Sequence, residues 1–137
     1  MTRRFGERTV SETGTEFLRA LVKNLATVMG TAGAWVMEYF PEQRWLRAHA
    51  MWMQGRFMDD FECRVAGTPC EDVVDSKRLI NIPDKLVELY PGDPDLISLQ
   101  PLSYLGIALL DTDGSVMGHL SVLDTKLTPL HSRPVVS

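Results

Sequence analysis

Long hydrophobic runs are missing from this 137-residue chain, and so is any excess of positive charge. No apolar stretch approaches the ~20 residues that a bilayer-spanning helix needs. The opening arginines Arg3, Arg4 and Arg8 lead into no apolar segment of the secretory type. A soluble cytoplasmic protein with no membrane partner is the expectation. The formal net charge is -4 and the 14 basic residues are scattered, so nucleic acid is not an expected partner, because counterion release needs clustered Lys and Arg. Two cysteines are too few for a disulfide framework and are expected to be reduced thiols. Hydrophobic residues make up 45% and charged ones 23%, which excludes disordered and collagen-like classes. The length suits one domain with a core of its own.

Residues 1–12 are polar and without periodicity, and read as a flexible segment. Residues 13–126 carry the domain, and 127–137 form a tail. Thr13-Gly14-Thr15-Glu16 has the spacing of a capping box and predicts a helix start. Phe17, Leu18, Leu21, Val22, Leu25, Val28 and Met29 then recur at helical spacing, with Gly30 as the stop. AWVMEYF (34–40) and RWLRAHAMWM (44–53) read as a hairpin, and FECRV (61–65) as a third strand. Strict alternation in the second strand puts Leu46, Ala48, Ala50 and Trp52 on one face and Trp45, Arg47, His49, Met51 and Met53 on the other. Met51, Met53 and Met58 with Trp45 and Trp52 read either as core or as the lining of a soft apolar pocket.

VAGTPCEDVV (65–74) opens a second helix: Thr68 stands at the cap, Pro69 at the first helical position and Glu71 where it completes a second capping box. Cys70 falls in the first turn. There the macrodipole favours a thiolate, while Glu71 and Asp72 oppose it. A helix starting at Pro83 and running through Tyr90, and a short one after Asp93-Pro94, complete a helical crossover.

The closing hairpin is read from Asp113-Gly114 as a two-residue turn with Thr112 opposite Ser115. Counting outward, Leu105, Ile107, Leu109, Leu120 and Val122 share a wholly aliphatic face suited to a covering helix. The other face carries Tyr104, Gly106, Ala108, His119, Ser121 and Leu123, where small residues beside a few polar ones leave room for a ligand. Trp52, Cys63 and Cys70 are the further candidate ligand contacts. Metal binding needs three or four ligands; Cys63, Cys70, His49 and His119 would converge only through the fold, and no metal is expected.

FLRALVKNLATVMG, FECRVAGTPCEDVV and the run through SYLG and GHLSVLD together resemble the GAF domain family, over about residues 13–125. The similarity is strongest to the branch found beside histidine kinases, diguanylate cyclases and σ54-dependent activators. The resemblance implies an α+β fold, an antiparallel sheet with helices on both faces. It implies a regulatory module that binds an unidentified small molecule between sheet and crossover, forms a homodimer through terminal helices and drives an attached output domain. Covalent bilin binding would call for a cysteine followed by histidine, whereas Cys63 precedes Arg64 and Cys70 precedes Glu71, so no bilin is expected. The acidic signature of cyclic-nucleotide-binding members is absent. Free methionine sulfoxide reductases share the fold and offer an alternative, a cysteine-dependent redox enzyme in which one thiol attacks and the other resolves. A ligand-free dimerisation module is the third reading. The tail LTPLHSRPVVS lacks helical periodicity and contains Pro134, so pairing through a second terminal helix is not expected from it.

Overall fold

The computed structural model describes residues 12–94, 96, 101 and 103–124. The tail at 127–137 and most of the short helix expected after Asp93-Pro94 lie outside the described residues. Helix α1 (Glu12–Met29) opens the domain. It begins before Thr13, so Thr13 sits inside the first turn and not at the cap. Its end is as the sequence indicates: Thr31 N–H donates to Ala26 O at 2.9 Å and Gly30 N–H to Thr27 O at 3.2 Å, the paired closure of a helix whose next residue is left-handed.

Strands β1 (Gly33–Phe40) and β2 (Trp45–Met53) follow, then β3 (Arg56–Phe57), β4 (Glu62–Arg64), α2 (Pro69–Ser76), β5 (Ile80–Ile82), α3 (Leu86–Leu89), β6 (Ser103–Leu110) and β7 (Val116–Asp124). The seven strands make one antiparallel sheet in the order β3-β2-β1-β7-β6-β5, with β4 also paired to β2. Helix α3 starts at Leu86 and not at Pro83, because Lys85 takes a left-handed backbone and Ile80–Ile82 is drawn into the sheet beside β6.

Helices cover both faces, as expected. On one face Val22 and Ala26 of α1 bury Ala34, Val36, Ala50 and Val122. On the other, Val73 and Val74 of α2 and Leu86 of α3 join Met37, Tyr39 and Leu46. α1 is rotated relative to the sequence reading. Phe17 and Val28 stay 66% and 80% exposed and Leu21 is exposed as well, so the apolar positions form two stripes, of which one touches the sheet.

Alternation along β2 is interrupted. Val36 pairs Ala50 but Met37 pairs Ala48, leaving His49 as an extra residue. Such a bulge exchanges the faces beyond it. Leu46 and Ala48 therefore share the α2 face with Met51 and Met53, while Ala50 and Trp52 turn to the α1 face. Trp52 packs edge-on against Phe57, with ring centroids 4.9 Å apart, and Lys23 Nζ stands over its ring.

The closing hairpin carries the expected pairs, from Ser103 opposite Asp124 to Leu109 opposite Gly118. The turn itself differs. Asp111 N–H donates to Ser115 O and Gly114 N–H to Asp111 O, a three-residue loop with Gly114 at φ 86. That loop shifts the pairing by one, and a bulge between Leu109 and Leu110 shifts it back.

Candidate functional site

The hollow lies on the α2 face of the sheet, over β1 and β2 and against the start of α2. It is a cavity of about 260 Å³. Protein interiors hold few voids larger than one water, so a space of this size is a feature and not a packing gap. Met37, Met51, Met53, Met58, Phe61 and Leu123 supply apolar wall. Trp35, Cys63, Thr68, Cys70, Asp93 and Tyr104 bring polar or reactive atoms to it, and Gln54 and Arg56 stand at exposed positions on its edge.

Of the candidate contacts, Cys63, Cys70 and Tyr104 line the cavity. Trp52 lies on the opposite face, for the bulge reason given above. Gly106, Ala108, His119 and Ser121 do not line the cavity; over Gly106 and beside Ser121 the space is filled from within the same hairpin. The ring of Tyr104 leans over Gly106 so closely that a Cβ there would sit 2.5 Å from its hydroxyl and 2.9 Å from Ser121 Oγ. The sequence reading of a roomy face over β6 and β7 is thus corrected: Tyr104 occupies that room, and the open volume begins on its far side, over β1 and β2. Trp35 and Met37 on β1 were not singled out from sequence. Alternation puts them on one face, but only the pairing of β1 with β7 shows that this face meets the crossover.

Tyr104 anchors a buried chain of hydrogen bonds. Its hydroxyl lies 2.6 Å from Ser121 Oγ, and Ser121 Oγ lies 2.7 Å from His119 Nδ1. At the other end the Tyr104 hydroxyl points at Cys70 Sγ at 3.7 Å. His119 is fully buried and its Nε2 has no hydrogen-bond partner among the described residues. Burial pulls its pKa down to about 3, so the ring is neutral. A bare ring nitrogen is a cheaper orphan than a buried N–H, which assigns the proton to Nδ1. His119 then donates to Ser121, Ser121 to Tyr104, and Tyr104 to the Cys70 sulfur.

Those donors favour a Cys70 thiolate, but burial pushes the other way and raises the thiol to about 12. Tyr104 is likewise raised well above the usual phenol value by burial. Desolvation wins over the helix start, and Cys70 is a thiol at neutral pH. Thr68 is the cap residue with Pro69 behind it, but its hydroxyl turns back to donate to Val65 O at 2.7 Å and makes no cap bond. Glu71 accepts from Gly67 N–H at 3.3 Å. The expected capping box is therefore not formed.

Arg44, in the β1–β2 turn, holds α2 over the cavity. Its guanidinium donates to both carboxylate oxygens of Asp75, at 2.7 and 3.0 Å, and to Tyr39 Oη at 2.9 Å. This hydrogen bonding keeps Asp75 below the usual carboxylate range. Both partners are about half exposed, so Arg44→Ala is expected to cost about 1 kcal/mol in urea unfolding, and less at high salt.

Among the described residues no helix is long and apolar enough to cross a membrane, and no group of three or more His, Cys, Asp or Glu is placed to hold a metal ion.

A family model for the GAF domain matches residues 14–134. No curated protein matches the sequence. Among solved structures, the GAF domain of an Acinetobacter phosphoenolpyruvate-protein phosphotransferase is similar with TM-score 0.60 and 14% identity, over 82% of this chain and 66% of that one. The A. aeolicus nlh2 GAF domain in an inactive state gives 0.63 and 17%, over 85% and 71%. Type II free methionine-R-sulfoxide reductase from Thermoplasma acidophilum gives 0.63 and 14%, over 84% and 77%. The chain thus spans just under two thirds of the first of these structures. Likeness at such identities shows the fold, and the sequence match shows the family: this chain belongs to the GAF domain family.

Proposed function

We propose that this GAF domain is a sensory module that takes a small molecule into the cavity between the sheet and α2, without catalysis of its own. The observation that carries the reading is the cavity of about 260 Å³ itself, walled largely by apolar side chains. A bound molecule would touch β1, β2 and the first turn of α2 together. It would favour the arrangement in which these contacts coexist, and α1, on the reverse of the same strands, would transmit that preference. The output is an attached signalling domain such as a histidine kinase, a diguanylate cyclase or a σ54-dependent activator, acting in the cytoplasm. The test is native mass spectrometry and thermal shift with small apolar molecules, comparing wild type with Met51→Trp, which fills the cavity. Binding to wild type and none to the filled variant is expected; equal binding by both would contradict the reading.

The exposed stripe of Phe17, Leu21 and Val28 on α1 supports a homodimer. Phe17, Leu21, Asn24 and Val28 follow the 4-3-4 spacing of a helix-pairing seam. Leu21→Lys with Val28→Lys is expected to convert a dimer to a monomer in sedimentation with little change in stability. A wild type that sediments as a monomer at all concentrations would remove the dimer from the proposal.

A redox enzyme is the second reading, favoured by the two thiols on one cavity wall and by the likeness to a methionine sulfoxide reductase. The buried Cys70, held as a thiol, weighs against it. Methionine sulfoxide turnover with a thiol reductant, lost in Cys70→Ser, would establish it over the sensor.

A further inference from the structure

Trp35 lies in the middle of β1, 7% exposed, on the cavity wall, with its ring centroid 6.3 Å from that of Tyr104. Its indole Nε1–H is buried and has no hydrogen-bond partner among the described residues. An indole is a donor only, and a buried donor without an acceptor is unfavourable. The other inward polar groups are engaged. Thr68 donates to Val65 O, Asp93 accepts from Leu96 N–H, and the Tyr104 hydroxyl belongs to the chain through Ser121. Gln54 and Arg56 at the edge are exposed to solvent, so Trp35 carries the buried unpartnered N–H among the described cavity-lining side chains.

The walls say what kind of molecule the space beside Trp35 takes. Four thioethers, from Met37, Met51, Met53 and Met58, face the space beside Phe61. Thioethers are polarisable and pack well against aromatic edges. A dry apolar cavity of about 150 Å³ takes one benzene, so about 260 Å³ suits two fused rings. The Asp93 carboxylate in the wall and the Arg56 guanidinium on the edge offset each other, so the lining selects no ion of either sign, and Asp93 is already hydrogen-bonded. We propose that the cavity, if it is the ligand site of the preceding section, selects an uncharged two-ring aromatic molecule whose hydrogen-bond acceptor, a ring nitrogen or carbonyl oxygen, receives the Trp35 indole N–H.

Quinoline and naphthalene have the same shape and differ in one acceptor nitrogen, and quinoline is uncharged at pH 8. Calorimetry on the full chain is expected to show quinoline binding about tenfold more tightly than naphthalene, the scale of one good hydrogen bond. The Trp35 indole N–H resonance should move downfield with quinoline and not with naphthalene. In Trp35→Phe the preference should vanish while naphthalene still binds. Equal affinities in wild type, a preference that survives Trp35→Phe, or tighter binding of anionic 2-naphthoate would overturn the inference and leave the cavity reading standing. Failure of both probes to bind would overturn the two together. The wild-type resonance and affinity comparison decides the matter even if the variant does not fold.

Discussion

Gly106→Ala is expected to lower the melting temperature by about 10 °C, a loss of about 3 kcal/mol, although it adds one methyl group on a strand. The reason is the ring of Tyr104. An added Cβ would stand 2.5 Å from the hydroxyl and 2.8 Å from the ring carbon that bears it, too close for either to remain. Tyr104 is fully buried, so the ring has no route to solvent and must push against the cavity or against Ser121. The same Cβ would stand 2.9 Å from Ser121 Oγ, so it crowds both partners of the Tyr104–Ser121 hydrogen bond and leaves buried hydroxyls poorly paired. The cause is checked by a double-mutant cycle. Tyr104→Phe should cost about 1 kcal/mol in wild type and much less once Gly106 is alanine, because the hydroxyl is already displaced. Additive costs, or a Gly106→Ala melting temperature equal to that of wild type, would contradict the arrangement.

Acid should destabilise the domain well before its carboxylates titrate. Burial holds His119 down to about 3 from its ordinary 6.5. Between those values the unfolded chain binds a proton that the native state refuses, so stability is complete above pH 6.5 and falls as the pH drops. The slope approaches about 1.4 kcal/mol per pH unit, a loss of about 2 kcal/mol at pH 5. Asp75 acts in a lower window. Its folded value is depressed by Arg44, so its contribution is present above the unfolded value and is lost as pH falls through the folded one. Urea unfolding from pH 7 to 4.5 should therefore show His119→Gln with a slope smaller than wild type by about one proton. Equal slopes would show that His119 titrates normally and is not the buried neutral ring described above.

The two hairpins and the two-faced layering were readable because their strands are short, apolar and bounded by turn residues, whereas the pairing of β1 with β7 that joins the hairpins was not. What misled the sequence reading were single inserted residues. At the closing hairpin an assumed two-residue turn and an unseen bulge beside Leu110 offset each other, so the faces of Tyr104 and Leu105 came out as expected although the turn did not. At His49 nothing offset the bulge, and Trp52 went to the other side of the sheet. Neither bulge has a residue signature in period-two patterning. The α1 stripes merged for a related reason: Phe17, Leu18, Leu21 and Val22 all fit helical spacing, and only packing separates the pair that meets the sheet side from the pair facing out. The filling of the space over Gly106 depended on which way Tyr104 leans, a tertiary choice. Cys70 was found at the correct helix turn, but its ionisation was set by burial that no local pattern records.

The central claim is that the space between β1, β2 and α2 receives a small molecule, and methionine methyl groups report on it directly. Met37, Met51, Met53 and Met58 line that space, whereas Met29 packs on the α1 face. In protein labelled with ¹³C at the methionine methyls, saturating quinoline or naphthalene should shift those four signals and leave that of Met29 in place. A shift confined to Met29, or no shift at saturation, would contradict the claim.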